Sequence, residues 1–206
     1  MLVGINSVFA VGKRNLIKTM RRDSTDKKHI CPTWGAVGLD NLFRKLVHNP
    51  QKILKPFIKA GMTVLDVGCG PGFFSLEIAK MLHGTGKVIS ADLQEGMLEK
   101  TGKKINGANL AQTVELHKCD SEKIGIVEKV DFAFAFWMVH EVGNQEKFLE
   151  ELASILKPDG LIYIIEPKLH VSKTEFEKMV DKIKESGFKI IASPKVFFSR
   201  TVVLSK

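Results

Sequence analysis

Long apolar runs are missing from this chain: no stretch approaches the roughly 18 consecutive apolar residues that span a bilayer. Paired cysteines are missing as well. Cys31, Cys69 and Cys119 are odd in number and scattered, with no Cys-x-x-Cys spacing, so neither a zinc site nor a thioredoxin-type pair is written here. No metal is expected, and a reducing cytoplasm is the simplest setting for such a set. The order of a signal peptide is also absent. Residues 2–11 are apolar but broken by Gly4, Asn6 and Ser7, and the basic residues follow them instead of preceding them. One reading makes Met20 the native start, with an over-extended reading frame before it; the other is a peripheral amphipathic anchor.

Acidic residues are the scarcer charge, and the net charge is +8. Its distribution is uneven. Residues 1–30 hold seven Lys or Arg and two Asp, a net of +5, which leaves +3 for the other 176 residues. Basic tails can bind phosphate backbones without sequence preference, so nucleic acid stays open as a partner, but a solvated arm is the simpler reading. The chain therefore divides into a basic, flexible arm (1–28) and a single domain (29–206) whose first part (29–60) is a helical cap. With 206 residues, 44% of them hydrophobic, the chain can bury one sizeable core.

The most informative stretch is Thr63-Val64-Leu65-Asp66-Val67-Gly68-Cys69-Gly70-Pro71-Gly72-Phe73. Val64, Leu65 and Val67 read as a buried strand with Asp66 at its carboxyl end, and residues 73–82 read as an amphipathic helix. A glycine-rich turn between them lets a ligand approach the backbone and leaves the unpaired N–H groups of the helix start facing it. This is the pattern of a nucleotide-type cofactor site. In the dinucleotide fingerprint Gly-x-Gly-x-x-Gly the third glycine comes later. Here Gly72 is one residue early and Phe73 holds the last position.

Further strands follow. Val88-Ile89-Ser90-Ala91-Asp92 ends in a carboxylate 24 residues past Gly68, where a Rossmann-like site needs an acid for ribose hydroxyls. Residues 114–120 give a third strand ending in Asp120, residues 130–136 a fourth, and 156–160 a turn before a fifth at 161–166. Continuous apolar strands alternating with helices predict a parallel sheet covered on both faces, with ligands at the carboxyl ends of the strands. Upstream, Leu39, Leu42, Phe43 and Leu46 recur at helical spacing and predict a helix over 39–48. Asn49 and Pro50 then cap and open another over 51–59.

From about residue 49 onward the chain resembles the class I S-adenosylmethionine-dependent methyltransferases, close to the small-molecule branch that includes ubiquinone and menaquinone biosynthesis methyltransferases. Asp66, Gly68, Gly70 and Gly72 match that family's first motif, Asp92 its ribose-binding acid, and Cys119-Asp120-Ser121-Glu122 the segment that meets the adenine. Residues 136–142 match the fourth motif. Leu156-Lys157-Pro158-Asp159-Gly160 matches the turn before the fifth strand, with Asp159 in place of the usual first glycine. The ending at 187–204 fits an antiparallel last strand, which a nicotinamide dehydrogenase would not share.

The resemblance implies an α/β, Rossmann-like, doubly wound and mostly parallel seven-stranded sheet with an antiparallel last strand and helices on both faces. It implies S-adenosyl-L-methionine as cofactor, bound by Asp66, Gly68, Gly70, Gly72, Asp92, Asp120, Ser121 and Phe136. Trp34, Phe43 and Trp137 are candidates for the substrate pocket, Trp34 and Phe43 equally for packing. His140, with Glu141 beside it, is the candidate proton acceptor; His48 and His170 are weaker ones. Met97 and Leu98 face either the adenine or the core. Arsenic-methylating relatives bind substrate through several cysteines, whereas here only Cys31 is expected outside the sheet. The Asn/Asp-Pro-Pro-Tyr of base-modifying relatives is replaced by Phe136-Trp137-Met138-Val139. The expected function is methyl transfer to a small, apolar acceptor. A non-catalytic cofactor-binding scaffold, an RNA or protein methyltransferase and an NAD-dependent dehydrogenase are the alternatives. Acceptor choice is expected to lie in the cap and in the loops after the fourth and fifth strands, including residues 166–170.

Overall fold

The computed structural model describes residues 47–206. The basic arm, Trp34, Phe43, Cys31 and most of the helix expected at 39–48 lie outside the described residues.

Asn49 opens helix α1 (Pro50–Leu54): its side chain accepts the Lys52 N–H at 3.3 Å and Pro50 takes the first turn, where a missing donor costs nothing. The helix is shorter than the 51–59 expected, because Pro56 has no N–H to give to the carbonyl of Lys52. The remaining order is β1 (Thr63–Val67), α2 (Phe73–Met81), β2 (Lys87–Asp92), α3 (Glu95–Gly107), β3 (Val114–Lys118), β4 (Val130–Phe136), a 3-10 turn (Val139–Glu141), α4 (Gln145–Ile155), β5 (Leu156–Pro167), α5 (Lys173–Glu185), β6 (Lys189–Ala192) and β7 (Ser199–Ser205).

The seven strands form one sheet in the order β3-β2-β1-β4-β5-β7-β6. All pairs from β3 through β5 are parallel, and β7 runs antiparallel to both β5 and β6. The fold is thus the doubly wound, mostly parallel sheet with an antiparallel last strand that the family resemblance implied. The winding direction reverses between β1 and β4, and a crevice opens at the carboxyl ends of strands where such a reversal occurs.

Strand β4 shows why both faces are covered. Its Phe132, Phe134 and Phe136 join the core formed with α1, α2 and α3, while Ala133 and Ala135 face the second core with Leu149 and Leu152 of α4 and Ile183 of α5. A strand buried on both faces has no polar alternation to show, so it reads as one apolar run.

Two segments differ from expectation for identifiable reasons. β3 lies at the sheet edge, so Glu115, Leu116 and Lys118 are exposed and its run is not continuously apolar. Residues 156–160 are not a turn ahead of β5 but its irregular first part, where the register with β4 shifts between Val130 and Phe132. Asp131 pins the irregularity by accepting from the Thr63 N–H at 2.8 Å and from Lys157 Nζ at 2.7 Å.

Candidate active site

The carboxyl ends of β1 and β2 are laced together through backbone. Gly68 and Cys69 donate their N–H groups to the carbonyl of Ala91 at 2.8 and 3.0 Å. The Asp92 carboxylate then accepts the Gly70 N–H on one oxygen and the Gln94 N–H on the other, both at 2.8 Å. Thr101 of α3 closes the turn from the far side, its hydroxyl donating to the Gly70 carbonyl at 2.9 Å. Asp92 is 7% exposed. Burial raises its pKa above the ordinary carboxylate value, opposed by the N–H bonds from Gln94 and Gly70 and by the charge of Lys118.

The three glycines of the turn all have positive φ, from 54° to 78°, but they make room for different things. A Cβ on Gly68 would come within 2.7 Å of the Met138 side chain, and one on Gly72 within 2.7 Å of Thr101. Those two absences serve packing inside the protein. At Gly70 a Cβ would meet nothing within 4 Å, so the backbone there borders open space. Asp66 is buried and accepts the Ser75 hydroxyl at 2.5 Å, tying the end of β1 to the start of α2. Gly72 caps that helix without a side-chain bond.

The residues fit an adenosyl cofactor on these observations. A carboxylate has about four acceptor positions; backbone N–H groups of Gly70, Leu93 and Gln94 take up part of this capacity on Asp92, and the remainder suits a ribose hydroxyl. The open approach at Gly70 suits a chain lying along the backbone. Cys69, in the middle of the turn, is buried, and its thiol pKa is raised well above the ordinary value by burial first and then by the charges of Asp66 and Asp92. It is a packing residue, not a nucleophile.

Past β4 the chain makes an unusual step. Trp137 has φ +58°, a conformation costing a non-glycine residue on the order of 1–2 kcal/mol. Its N–H donates to the Ile165 carbonyl at 2.7 Å and its indole N–H to the Ser199 hydroxyl at 3.1 Å, which hold it in place. The indole lies 4.9 Å from Phe136, nearly parallel, and His48 meets both rings edge-on at 5.2 and 4.9 Å. His48 is buried and its Nε2 lies 3.1 Å from the Phe197 carbonyl. Together these rings make an aromatic wall at the carboxyl ends of β4 and β5.

A match to the methyltransferase domain model covers residues 58–195. The chain belongs to this family. Its fold superposes on a SAM dependent methyltransferase from Aquifex aeolicus with a TM-score of 0.76 and 32% identity, covering 84% of this chain and 97% of that one. A demethylmenaquinone methyltransferase of Lactobacillus johnsonii is 30% identical over 132 residues, 64% of this chain and 52% of the relative. The ubiquinone/menaquinone biosynthesis C-methyltransferase of Escherichia fergusonii is 28% identical over 110 residues, 53% of this chain and 44% of the relative. The chain spans about half the length of the curated relatives it matches.

Of the remaining candidates, Asp120 and Ser121 are exposed in the loop after β3, where the Asp120 N–H donates to the Lys123 carbonyl at 3.0 Å. That loop begins next to Asp92, whose carbonyl accepts the Cys119 N–H. Met97 and Leu98 are 3% and 4% exposed in α3. His140 sits in the 3-10 turn with Glu141 half-buried beside it, and its ring lies 5.7 Å from that of the exposed His170.

The acid bonded to His140 is Glu166, which is 1% exposed at the end of β5. One Glu166 oxygen meets His140 Nδ1; the other accepts the N–H groups of Val139 at 2.8 Å and His140 at 3.3 Å. Sequence reasoning placed Glu166 in a specificity loop and missed this pairing. The signal was available, because a carboxylate closing an apolar strand is the same pattern that marks Asp66 and Asp92.

Proposed function

We propose that the chain transfers a methyl group from S-adenosyl-L-methionine to a small, apolar acceptor that carries an ionisable group, a demethylmenaquinone-like molecule being the class its relatives' names suggest. The observation that carries the reading is the shared edge of the sheet. The Asp92-clamped glycine turn, the Phe136–Trp137–His48 wall and the His140–Glu166 pair all stand at the carboxyl ends of β1, β2, β4 and β5.

S-adenosylmethionine, when bound, supplies a methyl group already activated on its sulfonium. The chain's task is then to hold, orient and deprotonate. Asp66, Gly68, Gly70 and Gly72 order the turn that receives the cofactor; Asp92 accepts the ribose hydroxyls; Asp120 and Ser121 meet the adenine; and Phe136 closes the cofactor side. Trp137 lines the acceptor pocket, with Trp34 and Phe43 of the cap. A carboxylate facing Nδ1 favours the proton on that nitrogen, and in this reading Nε2 is the atom that takes a proton from the acceptor. Holding acceptor and methyl carbon in line is worth several kcal/mol, up to roughly 7–11 in favourable cases. In this reading residues 1–28 are a basic arm, 29–206 form one cytoplasmic domain with 29–60 as its cap, and Glu141 assists His140 at most indirectly.

Calorimetric titration with S-adenosylhomocysteine, with NAD as comparator, tests the cofactor assignment. Micromolar binding lost in Asp92→Ala is the expected result. Preference for NAD would overturn it, and binding of neither would favour a scaffold. Screening quinol and phenol acceptors with labelled cofactor then tests the acceptor class.

A further inference from the structure

The described residues expose seven large apolar side chains, and five of them belong to the elements around one groove: Leu169 after β5, Ile190 and Ile191 on β6, and Phe197 and Phe198 before β7. The groove, about 970 Å³, runs between α5 and the 193–198 loop over a floor that includes Phe176 and Val196. Monomeric proteins rarely gather exposed apolar residues in this way without a binding role.

The loop is built to hold its rings outward. Phe197 and Phe198 are 59% and 52% exposed, and Phe198 is kept at φ +50°, a conformation aromatic residues avoid. The strained turn is closed by the Ser199 N–H donating to the Val196 carbonyl at 3.2 Å and is held by four further bonds. The Phe197 carbonyl meets the Ser199 hydroxyl at 3.0 Å and His48 Nε2 at 3.1 Å, the Phe198 carbonyl accepts the Lys168 N–H at 2.9 Å, and the Pro194 carbonyl accepts the Thr201 hydroxyl at 2.5 Å. Around the rings stand Lys168, Lys173, Lys195 and Arg200, against one acid, Glu177, which Lys173 meets at 3.6 Å. The lining therefore carries a net charge of +3 around protruding aromatics.

We propose that this face docks on an anionic lipid surface, with Phe197 and Phe198 entering the interface and the lysines and arginine meeting the headgroups. Aromatic rings settle at such an interface, and each nearby cation adds attraction to anionic lipid. The face also adjoins the candidate acceptor pocket, because Ser199 in the groove accepts the Trp137 indole N–H. An acceptor dissolved in lipid would then reach the aromatic wall without crossing water. That last role rests on the proposed apolar acceptor; the docking itself does not.

Co-sedimentation of the full chain with vesicles, without cofactor or acceptor, tests the docking separately from the catalytic reading. The chain is expected to sediment with phosphatidylglycerol–phosphatidylcholine vesicles and not with phosphatidylcholine alone. Phe197→Ser with Phe198→Ser should weaken binding at least about tenfold, and Lys168→Gln with Lys195→Gln likewise, at roughly fivefold per cation; unchanged circular dichroism and melting show that the variants fold. Absence of sedimentation by the parent chain overturns the proposal, as does equal sedimentation by parent and variants. Loss of binding only when Lys13, Arg14, Lys18, Arg21 and Arg22 are all changed to Gln assigns the membrane contact to the N-terminal arm and overturns it as well. A dimer that the Phe variant dissociates, without vesicle binding, makes the face a contact between copies of this chain and overturns it too.

Discussion

Glu166 and Asp92 show how one buried carboxylate can position a whole site. Glu166 spends one oxygen on His140 and the other on two backbone N–H groups of the same turn, so it fixes both the ring and the backbone that carries it. Glu166→Gln keeps the shape but presents an amide where Nδ1–H needs an acceptor, which turns the imidazole to the other tautomer. For an acceptor that must lose its proton, kcat should fall by a factor of about 10²–10⁴, with KM and S-adenosylhomocysteine affinity little changed; single-turnover kinetics across pH checks this. Asp92 works by charge. Its pKa is raised by burial, so its contribution to folding is full below the ordinary value of about 3.9 and is lost as pH rises through the raised folded value. In the proposed role, where ribose hydroxyls bond the ionised carboxylate, cofactor binding runs the opposite way. S-adenosylhomocysteine affinity should therefore fall on acidification before an ordinary aspartate would titrate. Calorimetry over a pH series on the parent chain and on Asp92→Asn, in which binding is weak and flat with pH, reads the difference.

At the scale of the element, the turn between β1 and α2 is a packing joint as much as a ligand cradle. Gly72 ends the turn at φ +78° with Thr101, itself fully buried, against the space a Cβ would take. Gly72→Ala adds a left-handed strain of about 1–2 kcal/mol to overpacking of about 1–3 kcal/mol, for a loss near 3 kcal/mol in urea denaturation. The α5 helix is secured differently, by a capping box in which Ser172 and Glu175 bond each other's backbone N–H. Ser-x-x-Glu ahead of a helix is a sequence signature that Ser172 and Glu175 carry, although α5 was not among the elements read from the sequence. β3 and the start of β5 were less legible. An edge strand lacks the two-sided burial that gives a continuous apolar run, and a bulge keeps strand pairing through residues, Lys157-Pro158-Asp159-Gly160, whose types read as a turn.

Over the whole molecule, two cores on opposite faces of one sheet share the same strands, so damage to either is felt by both. Phe134 is fully buried in the middle of β4 and packs on Phe74, Phe132, Phe136 and Tyr163. Phe134→Ala should cost about 3–5 kcal/mol, a large part of the 5–15 kcal/mol of a typical domain, and should lower the chemical-denaturation midpoint accordingly. Among the described residues no helix is long and apolar enough to cross a membrane.

The sequence by itself determined the strands, their order of use and the acids at their ends, since hydrophobic period, glycine and Asp act over a few residues and survive in the one-dimensional record. Asp66, Gly70 and Asp92 could be read that way. Met138 filling the space at Gly68, Ser199 holding the Trp137 indole, Glu166 turning His140 and the gathering of exposed aromatics beside basic side chains were decided only by the tertiary structure. The first three join residues 26 to 70 positions apart, and the last brings Lys168 and Lys173 to the Phe197–Phe198 loop; which of them meet depends on the strand order of the sheet, a global property that no local pattern records.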